Sequence, residues 1–211
     1  MPVPCLSIPC PPARRPSRLA SGLLAAALLY AGGILGANPA AAQVLTPETR
    51  AAVEALREGE MRKLVVHAEP VAVPDVAMTD REGAEHRLAD SDGKLRLVNF
   101  WATWCAPCRR ENPTLDALSR ERDAADFAVI SIATGRNDPA AIDRFNEKAG
   151  ITLPSYLDPK STLARAMDVA GLPVTVIVNR EGMEIARMTG GADWNGPSAR
   201  AILDYLAALE G

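Results

Sequence analysis

Apolar residues along this chain recur in two rhythms, and the switches between them place most of its elements. Leu97-Val98-Asn99-Phe100 and the run 127–133, FAVISIA, are too apolar for half-exposed strands and predict strands buried on both faces. Between them, Leu115 and Leu118 fall on one side of a helix whose Arg109, Arg110 and Arg120 face water, with Pro113 placed to kink it. Residues 75–78 and 85–88 predict two short strands joined at Arg81-Glu82-Gly83, a hairpin ahead of the main sheet. Ile142 and Phe145 mark a helical face that ends at Gly150, followed by a short strand at 156–158 and a helix around 161–167. Strands at 174–178 and 185–188, split by the turn residues 179–182, predict an antiparallel pair. Pro197 then opens a closing helix with Ala201, Ile202, Tyr205, Leu206 and Leu209 along one face. Strands alternating with helices and finishing in a hairpin and a helix indicate an α/β class, a mixed central sheet covered on both sides.

Upstream the pattern changes. Thr46, Pro47 and Glu48 supply an N-cap, a first-turn proline and an early acid, and Val53, Leu56, Met61 and Leu64 continue an apolar stripe, predicting a short helix that runs to about Val65. The stretch 67–74, HAEPVAVP, has two prolines, so the compact domain is expected to begin near Glu69. At the other extreme, residues 1–18 form a basic, Pro-rich leader, and no charged residue follows Arg18 until Glu48. The uncharged run within 19–37 is about long enough to span a bilayer, which takes roughly 17–25 apolar residues. It reads as a transmembrane anchor, favoured by its length, or as a signal-peptide core cut near Ala40-Ala41-Ala42. With arginines on the leading side only, both fates send the rest of the chain across the membrane, and a bacterial periplasm is the expected compartment. The expected division is therefore leader 1–18, anchor or signal core 19–37, linker with a short helix 38–68, and domain 69–211.

A formal net charge of -3 gives no electrostatic case for nucleic acid as a partner. Of the 4 cysteines, Cys5 and Cys10 lie in the leader, so any disulfide within the folded part must join Cys105 and Cys108. These two sit in WCAPC, where a strand gives way to a helix. That position exposes a thiol to the unpaired N–H groups and positive end of the helix, which favour the thiolate, the form that attacks a disulfide. A lone C-x-x-C could also be half a zinc site. The only histidines, His67 and His86, have no ligand spacing to the cysteines.

WCAPC after a buried strand, with Gly171-Leu172-Pro173-Val174-Thr175 further on, resembles the thioredoxin superfamily, and the stretch VNFWATWCAPCRRENPTLDAL resembles its membrane-anchored, periplasmic TlpA-like and ResA-like thiol-disulfide oxidoreductases. The resemblance implies a thioredoxin fold with an N-terminal β-hairpin and a central strand-helix insertion, matching the segments 75–88 and 138–167. It implies that Cys105 is the nucleophile and Cys108 the resolving thiol, forming a redox disulfide, with no cofactor. Trp104 resembles the aromatic beside the active site, Pro107 stiffens the loop, Pro173 corresponds to the family's cis-proline, and Leu172 would offer backbone groups to a substrate peptide. Where many thioredoxins carry a buried aspartate this strand has Asn99, and Glu111 matches a glutamate of the ResA-like branch. Glu111 is expected to be partly buried, with a raised pKa, and to exchange the Cys108 proton; the alternative is a solvated first-turn acid. Trp194 is expected to be structural, and Arg109 and Arg110 to form a solvated basic face.

The activity so implied is reduction of disulfides in periplasmic partners, apocytochrome c or copper-site proteins of the respiratory oxidase, recharged by a membrane thiol-transfer protein. Two other readings fit the residues: a disulfide donor working in the opposite direction, and a copper or zinc chaperone using the two cysteines.

Overall fold

The computed structural model describes residues 45–209. The leader, the expected anchor or signal core, Cys5 and Cys10 lie outside the described residues. The described part is an eight-stranded mixed sheet with helices on both faces. Its strands are β1 (Val65–Ala72), β2 (Met78–Thr79), β3 (Glu85–His86), β4 (Leu95–Trp101), β5 (Phe127–Thr134), β6 (Ser155–Asp158), β7 (Val174–Val178) and β8 (Met183–Thr189). The α-helices are α1 (Pro47–Leu56), α2 (Ala106–Glu121), α3 (Pro139–Ala149), α4 (Thr162–Ala166) and α5 (Pro197–Leu209). Across the sheet the order is β1-β8-β7-β4-β5-β6-β2-β3. β4, β5 and β6 run parallel and every other pair is antiparallel.

Every residue of β4 is buried, as expected of a central strand with a helical layer on each side. Side-chain alternation then splits the core. Leu95 and Leu97 join a cluster with Leu115 and Leu118 of α2 and Ile202, Leu203 and Leu206 of α5. Val98 and Phe100 join another with Leu163 and Ala164 of α4. Asn99 shares the parity of Leu95 and Leu97, so it points to the α2 side.

The N-terminal expectation needs correction. The helix expected to reach Val65 ends at Leu56, and a short 3-10 helix, Gly59–Lys63, follows. Two things stop it. Gly59 adopts a left-handed φ of 51°, and Ser198 at the start of α5 binds the helix end, its hydroxyl donating to Leu56 O at 2.7 Å and accepting from Glu58 N at 3.0 Å. Nor does the compact fold begin near Glu69. Residue 69 lies inside β1, an edge strand paired with β8, and Leu45, Val53, Met61 and Leu64 belong to the main core. β1 tolerates Pro70 because its register shifts between Val66 and Val71 and its outer edge needs no amide donor.

Of the remaining elements, the second hairpin strand stops short because Leu88 opens a 3-10 helix, Leu88–Ser91, and the others differ only at their ends. The hairpin strands shorten to β2 and β3 and add to the far edge of the sheet through β6. α3 ends at Gly150, in the left-handed region at φ 66°, which lets its N–H reach back to the last turn.

Candidate active site

The dithiol sits where β4 ends and α2 begins. Cys105 is the N-cap of α2, and its sulfur is bonded to Cys108, with the Cα atoms 5.3 Å apart. The Cys108 N–H donates to Cys105 Sγ at 3.3 Å. In the reduced protein that donor and the positive end of α2 would both favour a Cys105 thiolate. Exposure separates the two sulfurs only slightly, Cys105 being 5% exposed and Cys108 0%. Both pack in a small cluster with Trp101, Ala102, Ala133 and Ile142 at the carboxyl ends of the parallel strands, and Leu172 packs against it.

Glu111, one helical turn beyond Cys108, is 2% exposed. Its Oε1 accepts from Asn99 Nδ2 at 2.8 Å and its Oε2 from Ala192 N at 3.1 Å. Burial pushes its pKa up to about 7, against the opposing pull of those hydrogen bonds, a weaker contact from Trp194 and the charge of Lys63. A buried acid half ionised near neutral pH can take or return a proton. Glu111 also opens onto a cleft of about 510 Å³ beside Pro107. Asn99 donates a second time from Nδ2, to Thr175 Oγ1 at 2.9 Å, while its Oδ1 is unpaired. The residue in the place of an aspartate is thus the partner of the glutamate.

Around the dithiol the surface is mixed, with Trp104 on it beside charged groups. Trp104 is 67% exposed, so it is a surface aromatic immediately before Cys105 and not part of the core. The Leu172–Pro173 peptide is cis and Pro173 is buried, its carbonyl taking the Gly190 N–H at 2.9 Å. Among the described residues neither backbone group of Leu172 is hydrogen-bonded. Arg109 and Arg110 are exposed, and Trp194 is fully buried. Among the described residues no three His, Cys, Asp or Glu side chains gather as a metal would require; His67 pairs with Glu184 and His86 with Asp80.

Asn137, in the loop after β5, was not visible as a site residue in the sequence. Its Oδ1 accepts from Thr103 N at 2.8 Å and Thr103 Oγ1 at 3.0 Å, and its Nδ2 donates to Thr134 O at 2.9 Å. It pins the turn that delivers Cys105. Asn137→Ala is expected to cost about 1–3 kcal/mol, the usual penalty for stripping paired, part-buried backbone groups of a partner, measurable by urea denaturation.

The AhpC/TSA family model matches residues 71–185. Thiol-disulfide oxidoreductase ResA of Geobacillus kaustophilus is 33% identical over 117 residues, covering 56% of this chain and 67% of the relative. ResA of Bacillus subtilis is 30% identical over 117 residues, covering 56% and 65%. Among solved structures, a secreted thiol-disulfide isomerase from Corynebacterium glutamicum superposes with a TM-score of 0.59 at 22% identity, covering 73% of this chain and 95% of that one. A DsbF homologue from Corynebacterium diphtheriae gives 0.57 at 22%, covering 69% and 92%. These two structures bear on the fold, which is that of thioredoxin.

Proposed function

The chain belongs to the AhpC/TSA family and is a thiol-disulfide oxidoreductase of the ResA-like kind, and from that premise we propose that it reduces disulfides of partner proteins on the outer side of the bacterial inner membrane. The observation that carries this reading is the Cys105–Cys108 pair at the N-terminus of α2, beside a buried acid, Glu111. Cys105, as thiolate, attacks one sulfur of a partner disulfide; the partner's other sulfur leaves as a thiolate. Glu111 takes the Cys108 proton, and the Cys108 thiolate attacks Cys105 Sγ, releasing the partner's second sulfur. Two electrons have passed to the partner, and the protein is left as the disulfide seen here. A membrane thiol-transfer protein returns the two electrons. Trp104 and Pro107 form the contact surface, and the unpaired backbone of Leu172 ahead of Pro173 pairs with an extended partner segment. The partners proposed are apocytochrome c or copper-site proteins, whose cysteines must be reduced before haem or copper is attached. The basic leader and the apolar run after it support an N-terminal membrane anchor, and a relative described as secreted supports the compartment.

The test uses covalent capture and potential together. Cys108→Ser keeps the attacking sulfur and cannot complete the exchange, so in the native host it is expected to accumulate as a mixed disulfide with its partner, released by reductant; Cys105→Ser captures nothing. A reductase requires a low potential, at or below about -200 mV. A value near -120 mV, typical of a strong periplasmic oxidant, would reverse the direction to disulfide donation.

A further inference from the structure

One peptide group lies between a surface cation and the buried acid of the active site. Lys63 Nζ donates to Gly191 O at 2.7 Å, and Ala192 N donates to Glu111 Oε2 at 3.1 Å. Gly191 C=O and Ala192 N–H are the two ends of the same amide. A cation on the carbonyl end polarises the amide, so its N–H becomes a better donor to the carboxylate at the other end. The arrangement is held at both flanks. Lys63 ends the 3-10 helix whose Met61, with the next residue Leu64, is locked into the main core, so its backbone is fixed although its side chain is exposed. Gly191 lies close to the active-site helix, where an added Cβ would stand 3.4 Å from Pro107 O and 3.5 Å from Glu111 Oε2. Lys63, Gly191, Ala192 and Glu111 all line the cleft beside Pro107.

We infer that Lys63 is a positioning residue for the proton step at Glu111: acting through the Gly191–Ala192 amide, it holds the carboxylate's donor in place and favours the charged form of the acid. The inference rests on the reading of Glu111 as the group that takes the Cys108 proton. It also assigns a task to the N-terminal segment. Lys63 and Gly191–Ala192 lie outside the residues matched by the family model, 71–185, so the matched Glu111 is served here by parts of the chain that the match does not cover. The other charged groups around the cleft are Glu60 on the same 3-10 helix, Arg110 on α2 and Asp193 after Ala192; Lys63 is the cation hydrogen-bonded to the amide that serves Glu111.

The test uses the full chain, reduced, with 5,5′-dithiobis(2-nitrobenzoate) as probe. Cys105 attack releases one nitrothiobenzoate and leaves the other on Cys105; Cys108 attack on Cys105 Sγ then releases the second, its proton passing to Glu111. The pH dependence of the second release is compared for parent, Lys63→Met, Lys63→Arg and Glu111→Gln. Lys63→Met is expected to move the limb near neutrality up by a few tenths of a pH unit, slowing the second release by about two- to fourfold on the acid side of the limb and about twofold at pH 7, while Lys63→Arg keeps the parent profile. An unchanged first release in Lys63→Met, and a thermal midpoint unchanged at pH 5, where Glu111 is protonated in both folded proteins, would separate this shift from misfolding. If Lys63→Met superimposes on the parent while Glu111→Gln has lost the limb, the inference falls and the Glu111 reading stands. If Glu111→Gln keeps the limb, both fall.

Discussion

Glu111→Gln is expected to make the oxidised protein more stable at pH 8 by about 3 kcal/mol while slowing the resolving step at that pH by roughly ten- to a hundredfold. The stability half follows from linkage. Glu111 has a folded pKa of about 7 against an ordinary value of 4.5, so between those limits the folded state binds more protons than the unfolded one. Where the native state holds the extra proton, stability falls as pH rises. The parent therefore carries no penalty from Glu111 below about pH 4.5, loses stability across the window from there to about 7, and bears the full cost above it. A difference of some 2.5 pKa units corresponds to about 3 kcal/mol. Glutamine cannot ionise, so the gap between variant and parent should open through that window and close in acid.

The pocket can accept the substitution. Asn99 Oδ1 has no partner, and a rotated Asn99 amide would present it to the glutamine NH₂ or to a protonated Glu111, with Thr175 Oγ1 turning to donate. Urea denaturation at pH 5 and pH 8, alongside the pH profile of the second thiol release, checks both halves. A glutamine variant that is no more stable at pH 8, or that resolves at the parent rate, would contradict the role of Glu111. Gain in stability with loss of rate is the signature of a group kept for chemistry rather than for folding.

What could be read from the sequence depended on the range of the interaction. The dithiol, its helix and the buried strands are set by local pattern, and β4, β5, β7 and α2 lie within a few residues of where the apolar rhythm puts them. The Glu111–Asn99 pair was half legible. Strand parity places Asn99 on the face of Leu97, and α2 covers that face, but reading Asn99 against an absent aspartate hid its part as a hydrogen-bond partner. β1 was hidden by Pro70 inside it and Pro74 just after it, because a strand that bulges along an open edge carries the composition of a linker. Asn137 and Lys63 reach their partners across 34 and 128 residues of chain, and no local periodicity records such contacts.

Arg96 is the sharpest case, and it supports the second large prediction. In the sequence it immediately precedes the apolar run Leu97-Val98-Asn99-Phe100. In the fold it lies inside β4 and is 1% exposed. Its Nη1 donates to Leu88 O at 2.8 Å and Asp92 Oδ1 at 2.5 Å, and its Nη2 donates to Asn179 O at 2.7 Å. One guanidinium thus ties the central strand to the short helical turn before it and to the β7–β8 turn. Only a planar fork can do this. Arg96→Ala is expected to cost about 3–5 kcal/mol, combining the lost charge-assisted bonds with the void left by the side chain. Arg96→Lys should cost less, about 1–3 kcal/mol, since one ammonium can keep Asp92 or a carbonyl but cannot span all three acceptors. Arg96 lies beneath the opposite end of β4 from Cys105, so the loss should appear in denaturant midpoints with the rate of the first thiol release unchanged under native conditions. A lysine variant as unstable as the alanine one would show that the fork geometry, rather than the charge, holds these turns together; an alanine variant as stable as the parent would remove Arg96 from the account of how the sheet is closed at this end.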